Sequence, residues 1–199
     1  MLDTRQEEYL ESMRAALETH MKAVRPHRYA HSLGVSDTAG TLARTYGVDE
    51  FEARAAGLIH DWDKVLDDAE LLARAARYGI TVVGSPVLAA PVLHGPVAAH
   101  ELPDRFPELP ASVFQAVARH TIGAVDMTPL DMIVFVADAI EPGRKGDYAV
   151  RLRELVGTAP LTEVFFTTMS QSLAYVISSG RYLYPPALTV YNAYALKRG

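Results

Sequence analysis

Residues 58–64 read Leu-Ile-His-Asp-Trp-Asp-Lys, "LIHDWDK". An imidazole and a carboxylate stand at adjacent positions, directly behind an apolar run. Neighbouring side chains on a helix diverge by about 100°, so His60 and Asp61 can aim at one point only where a helix ends or is distorted. Asp49 reads as the N-cap of a helix that carries the apolar run and stops near Asp61. The stretch is thus either a solvated helix end with two polar residues or the centre of a metal site.

Outward from this segment the pattern is helical. Residues 4–23 place Tyr9, Leu10, Met13, Ala16, Leu17 and Met21 at spacings of three and four. Pro26 opens a helix that Gly47 closes after about residue 46. A short helix is expected over 68–78, ended by Gly79. The segment 80–96 contains β-branched residues, but Pro86, Pro91 and Pro96 disqualify it as a central strand, leaving loop and short helical turns. Helices are predicted at about 96–102, 110–121, 128–140, 146–155 and 160–179, the last closed by Gly180, and a final one at 187–196 follows "YPP". The expectation is one all-α domain over 1–199, a helical bundle with its motif-bearing core at about 20–145 and C-terminal helices over 146–196.

Composition narrows the chemistry. The chain has 199 residues, 49% apolar and 22% charged, an ordinary globular balance. The net charge of −5 and the lack of any Lys/Arg cluster longer than "GRKG" argue against nucleic acid as a partner. There are no cysteines, which removes disulfides, thiolate metal sites and cysteine nucleophiles together. The N-terminus has no apolar core like that of a signal peptide, and no run approaches a membrane span, so a cytoplasmic protein without a membrane partner is expected. No pattern encodes the oligomeric state, and a homodimer stays open.

Of the seven histidines, three have ordinary accounts. His20 lies late in a polar helix, His27 follows Pro26 at a helix start, and His100 falls at an expected helix end. His31, His60, His94 and His120 differ: each lies at an element end or among apolar neighbours, where a buried imidazole needs a hydrogen-bond partner or a metal. Asp138 follows six apolar residues in "MIVFVADAIEP", where an unpaired carboxylate is rare. Four imidazoles and two carboxylates suit two first-row divalent cations, with the oxygens of Asp61 bridging them. Such pairs, about 3.5–4 Å apart, support in-line attack on phosphorus.

This order of residues resembles the HD-domain phosphohydrolases: a His, then a His-Asp pair, then a distant Asp. "RYAHSLGV", "GLIHDWDK", "LHGPVAA", "RHTIG" and "FVADAIEPGR" are similar, in order and spacing, to the YqeK-type branch of that family over roughly residues 20–195. The resemblance implies an all-α HD-type bundle and a symmetrical diadenosine tetraphosphate hydrolase with two divalent metal ions, iron foremost, with manganese, zinc or cobalt as alternatives. It implies that His31, His60, Asp61 and Asp138 hold one metal, and that Asp61 also reaches a second, completed by His94 and His120. Lys64 and Arg144 match family positions and are expected to offset phosphate charge. Thr121 and Gly123 match the HT-x-G turn, and Arg28 and Glu141 are expected to orient ligands, with Arg28 also near substrate. One departure stands out: Asp63 occupies a position that is usually small; the plain expectation is an ion pair with Lys64 or Arg28, and the alternative is a changed pocket charge that weakens polyphosphate binding. Trp62 is expected to pack rather than to stack on a base.

The leading expectation is hydrolysis of diadenosine tetraphosphate to two ADP. An HD-type nucleotidase or phosphodiesterase acting on another nucleotide keeps the chemistry and changes the substrate. A non-catalytic nucleotide sensor has no need of six candidate ligands.

Overall fold

The computed structural model describes residues 2–197, and no strand occurs among them. Eleven helices follow one another: α1 (Thr4–Leu17), α2 (Pro26–Tyr46), α3 (Glu50–Ile59), α4 (Asp68–Arg77), α5 (Pro86–Ala89), α6 (His94–Arg105), α7 (Ala111–Arg119), α8 (Pro129–Ile140), α9 (Asp147–Leu155), α10 (Leu161–Ser178) and α11 (Pro185–Leu196). The all-α expectation holds.

Local chemistry sets most helix ends. The Asp3 side chain accepts from Gln6 N (2.8 Å) while the Asp3 N–H donates to Gln6 Oε1 (3.0 Å), a reciprocal cap that opens α1. Asp49 caps α3 through Glu52 N, as its sequence position indicates. Thr128 and Asp131 cap α8 in the same reciprocal way, with Pro129 as its first residue. Gly47 closes α2 at φ 71°, a left-handed conformation that costs glycine little.

Three segments depart from the sequence reading. The first helix leaves α geometry at Leu17 and continues as one π turn over Glu18–Lys22. α6 runs from His94 to Arg105 rather than over 96–102. Pro96 falls in its first turn, where no N–H is needed, and Pro103 lies near its end, so neither proline stops it. His100 therefore sits inside α6 rather than at an end, and stacks on Tyr78 with ring centroids 5.1 Å apart. α11 begins at Pro185, two residues earlier than read, because two consecutive prolines are compatible with a first helical turn.

α8 is the centre of the bundle. Its residues Leu130–Ala137 are all buried, and α2, α3, α7, α9 and α10 pack around it. α3 also lies along α2, and Gly57 permits the approach: a Cβ there would stand 2.8 Å from Ser36 Cα. The bundle thus brings the C-terminal ends of α3, α7 and α8 and the N-terminal parts of α2 and α6 to one place.

Candidate metal centre

Asp61 stands where the sequence places a helix break. α3 ends at Ile59, His60 is its cap, and Asp61 takes φ −98° and ψ 18° before a 3₁₀ turn over Trp62–Val65. That break turns the two adjacent side chains to one point. His60 is fully buried and Asp61 nearly so.

Around the Asp61 carboxylate stand four imidazoles. Oδ1 is 3.2 Å from His94 Nε2 and 3.7 Å from His120 Nε2; Oδ2 is 3.6 Å from His60 Nε2 and 3.9 Å from His31 Nε2. His31 Nε2 also lies 2.9 Å from Asp138 Oδ1. Two groups have their donor atoms close enough together to share an ion: His31, His60 and Asp138, and His60, Asp61 and His120. The six side chains singled out in the sequence lie in one cluster.

The back of each ring decides its tautomer. Nδ1 of His60 faces Gly57 O at 2.8 Å, that of His94 faces Pro91 O at 3.0 Å, and that of His120 faces Val117 O at 2.7 Å. A carbonyl only accepts, so each Nδ1 donates, and Nε2 of each neutral ring points a lone pair into the cluster. His60 Nε2 is buried without any hydrogen-bond partner. His94 Nε2 and His120 Nε2 are 2.9 Å apart, and two lone pairs at that distance repel unless a cation lies between or beside them. Imidazoles pinned through Nδ1 with Nε2 converging are the arrangement that metal ligands adopt. The residues present therefore fit a divalent cation.

The protonation states agree. Burial pushes His60 and His94 down to about 4, leaving both neutral and able to ligate at neutral pH. Burial alone would raise the Asp61 carboxyl, but His60, His120 and His94 outweigh it and hold it well below the usual carboxylate range. Asp138 is lowered likewise, chiefly by His31 against its burial. His31 is the exception: burial lowers it, yet Asp138 and Glu141 reverse the sign and raise it. Its Nδ1 faces Glu141 Oε1 at 3.1 Å and its Nε2 faces Asp138 Oδ1 at 2.9 Å, so carboxylates stand at both ring nitrogens.

The remaining sequence candidates are placed as follows. Arg28 donates to Asp61 Oδ2 at 2.8 Å and Glu141 holds His31, so both contact ligands rather than the open side of the cluster. Arg144 binds Asp138 twice, Nη2 to Oδ1 at 2.6 Å and Nε to the backbone carbonyl at 2.8 Å. Lys64 Nζ donates to Pro91 O at 3.1 Å, the same carbonyl that pins His94, and burial lowers its pKa. Thr121 Oγ1 is 3.0 Å from His120 Nε2 and 3.3 Å from His94 Nε2, inside the cluster. Gly123 takes φ 78° beyond the end of α7, against Val190 and Phe165. Trp62 is packed, in face-to-face contact with His20 (4.1 Å) and edge-on to Phe106 (5.6 Å).

Asp63 corrects an expectation. It pairs with neither Lys64 nor Arg28, both of which are engaged elsewhere. The 3₁₀ turn buries its side chain, Oδ2 has no hydrogen-bond partner, and its charged neighbours are Glu101, Arg74 and Glu70. Burial, reinforced by Glu101, pushes the carboxyl up to about 7. The unfolded chain binds this proton only near 3.8, so the group costs stability increasingly as pH rises from 3.8 through 7. Replacing Asp63 with asparagine is expected to raise the thermal midpoint at pH 8 by roughly 3–6 °C, equivalent to about 1–2 kcal/mol. A lower midpoint in calorimetry at pH 8 would contradict this.

Two supports were not legible locally. His20, which the sequence leaves as an ordinary helix residue, uses the π turn to reach Trp62 O at 3.0 Å and braces the residue after Asp61. The buried Asp131 accepts from Arg119 Nη1 (2.9 Å), Gln115 Nε2 (3.1 Å) and Thr128 N (2.9 Å), fixing the end of α7 just before His120. Only Asp131's place in a buried helix hinted at a paired role. At Gly95 on α6 a Cβ would stand 2.6 Å from Val117 O and 3.0 Å from the His120 ring, so glycine lets His94 and His120 meet.

Comparison with known proteins agrees with this geometry. The HD domain family matches residues 28–143, more than half of the chain, and the chain belongs to that family. The matched segment contains all six residues of the cluster, His31, His60, Asp61, His94, His120 and Asp138. Among its relatives is the protein named symmetrical bis(5'-nucleosyl)-tetraphosphatase of Halalkalibacterium halodurans, 29% identical over 176 residues, covering 86% of this chain and 91% of the relative. A Bacillus subtilis protein of the same name is 28% identical over 169 residues, covering 83% of this chain and 88% of that one. A crystal structure from Clostridium acetobutylicum, described as an HD superfamily hydrolase involved in NAD metabolism, superposes with a TM-score of 0.85 at 28% identity, covering 95% of this chain and 97% of that one.

Proposed function

We propose that this protein is a metal-dependent phosphohydrolase that cleaves diadenosine tetraphosphate symmetrically to two ADP. One observation carries the reading: the buried Nε2 atoms of His60, His94 and His120 converge on the Asp61 carboxylate, with His31 and Asp138 beside them, in a chain similar along most of its length to proteins named symmetrical bis(5'-nucleosyl)-tetraphosphatases. In this reading two divalent cations, iron foremost, are held by His31, His60 and Asp138 on one side and by His94 and His120 on the other, with Asp61 shared. When bound, such cations supply Lewis acidity and lower the pKa of a coordinated water toward ~7.

The chain's own groups do the rest. Arg28 and Glu141 hold Asp61 and His31 in orientation. Arg144, Lys64 and the Thr121 hydroxyl stand next to ligands and supply donors for phosphate oxygens, the arginine as a planar fork and the lysine as a point charge. Water adds across the central P–O–P bridge; the bond from the attacked phosphorus to the bridging oxygen breaks, and each half leaves as ADP. Among the described residues no helix is long and apolar enough to cross a membrane, and the cytoplasm is the proposed location.

Incubation of the metal-loaded protein with diadenosine tetraphosphate is expected to yield ADP alone, with turnover abolished by chelator and restored by divalent metal. ATP plus AMP would move the attacked phosphorus. No turnover at verified metal content would overturn the reading and turn attention to mononucleotides and cyclic dinucleotides.

A further inference from the structure

The loop after α8 carries two groups that grip the cluster. Glu141 holds His31, and Arg144 holds Asp138. With Pro142 between them and glycines at 143 and 146, the segment has little regular backbone hydrogen bonding of its own. Glu141 O accepts from Arg144 N at 2.9 Å, and three carbonyls along the segment accept from one side chain. Arg153, on α9, places Nε 2.8 Å from Ile140 O, and Nη2 2.8 Å from Glu141 O and 2.9 Å from Arg144 O.

Two of these carbonyls belong to the C-terminal end of α8, where the last turn of a helix has no internal donors. The third lies at Arg144 itself. Among the described residues, Arg153 forms no ion pair with a carboxylate, so its guanidinium serves the loop alone. Only a rigid planar fork can meet three carbonyls from one side; an ammonium on a flexible stem cannot reproduce that spacing. Both Arg144 and Arg153 lie beyond residue 143, where the HD domain match ends.

We propose that Arg153 is a positioning residue: through the backbone of residues 140–144 it presets Glu141 against His31 and Arg144 beside Asp138, so that the cluster meets a polyphosphate with its arginine already in place. The substrate half of this inference rests on the function proposed above; the loop half does not.

The test uses the full-length metal-loaded protein and its Arg153→Ala and Arg153→Lys variants. Hydrogen exchange of the 141–146 amides is expected to quicken at least about tenfold in Arg153→Ala, with α8 amides before residue 138 unchanged. KM for diadenosine tetraphosphate is expected to rise about tenfold or more at full metal content, with kcat changing less. Arg153→Lys keeps stem and charge, folds even if the alanine variant does not, and is expected to share both defects. Parental exchange rates and kinetics in either variant, at a lower thermal midpoint, would reduce Arg153 to a staple between α8 and α9 and overturn the proposal. If the parent itself fails to hydrolyse the substrate, the functional reading falls, while the exchange measurement still decides the role of Arg153.

Discussion

Replacing Asp61 with alanine is expected to lower kcat/KM by about a thousandfold or more and to release bound metal. Its two oxygens stand within reach of all four histidines, His94 and His120 through Oδ1, His60 and His31 through Oδ2. No other carboxylate among the described residues contacts both halves of the cluster. On the proposed reading, losing the carboxylate that all four histidines face forfeits several kcal/mol of charge stabilisation, and each 1.4 kcal/mol is tenfold in rate. The variant also leaves Arg28 without its carboxylate, which adds to the loss. Metal content by elemental analysis and turnover of diadenosine tetraphosphate check this together. A variant that keeps two equivalents of metal and a rate within tenfold of the parent would remove Asp61 from the centre of the mechanism.

The second large effect is acid lability of the metal-free protein. His60 and His94 bind a proton near 6.5 when unfolded and at about 4 when folded. Below pH 6.5 the unfolded chain therefore takes two protons that the folded chain refuses, and stability falls as pH drops toward 4. His20 is lowered by burial and acts in the same direction. His31 is raised, chiefly by Asp138 against its burial, and so opposes this trend as pH falls toward 6.5. Asp63 opposes the trend, because between 3.8 and about 7 the folded chain keeps a proton that the unfolded one has released.

His60 and His94 alone lose, and Asp63 gains, over roughly 2.5 pH units, a net loss of about 3 kcal/mol at 1.36 kcal/mol per unit, to which His20 adds. Without Asp63 the loss doubles to about 7 kcal/mol, comparable to the whole stability of an ordinary domain. Thermal midpoints of chelator-treated protein between pH 7 and 4.5 should fall, and fall more steeply in Asp63→Asn. A flat or rising midpoint in both proteins would show that the two imidazoles are not buried neutral.

What could be read in the sequence was what depends on neighbours in the chain. Asp49, Gly47, Gly79 and Gly180 mark helix ends because capping and left-handed turns are local chemistry. The four histidines and Asp138 stood out as candidates because each sits beside an apolar stretch, where a polar group needs a partner; that they meet Asp61 at one place was implied only by the family resemblance. The orientation of Asp63 was not, since it depends on which side of a single 3₁₀ turn the side chain leaves. The π turn at Glu18–Lys22 was hidden for a similar reason: its periodicity is that of an ordinary helix, and the contact with Trp62 lies 42 residues away. Arg153 has no local signature, because its three partners belong to a loop whose path is fixed only by the tertiary structure.

The six side chains of the cluster come from separate stretches of chain between residues 31 and 138: α2, the α3 break, the starts and ends of α6 and α7, and α8. Cations held by these groups would cross-link segments that are far apart in the unfolded chain. They bind the folded form far better than any unfolded one, so the folded population grows with free metal concentration through mass action. The thermal midpoint and the resistance to proteolysis are therefore expected to rise with free divalent metal.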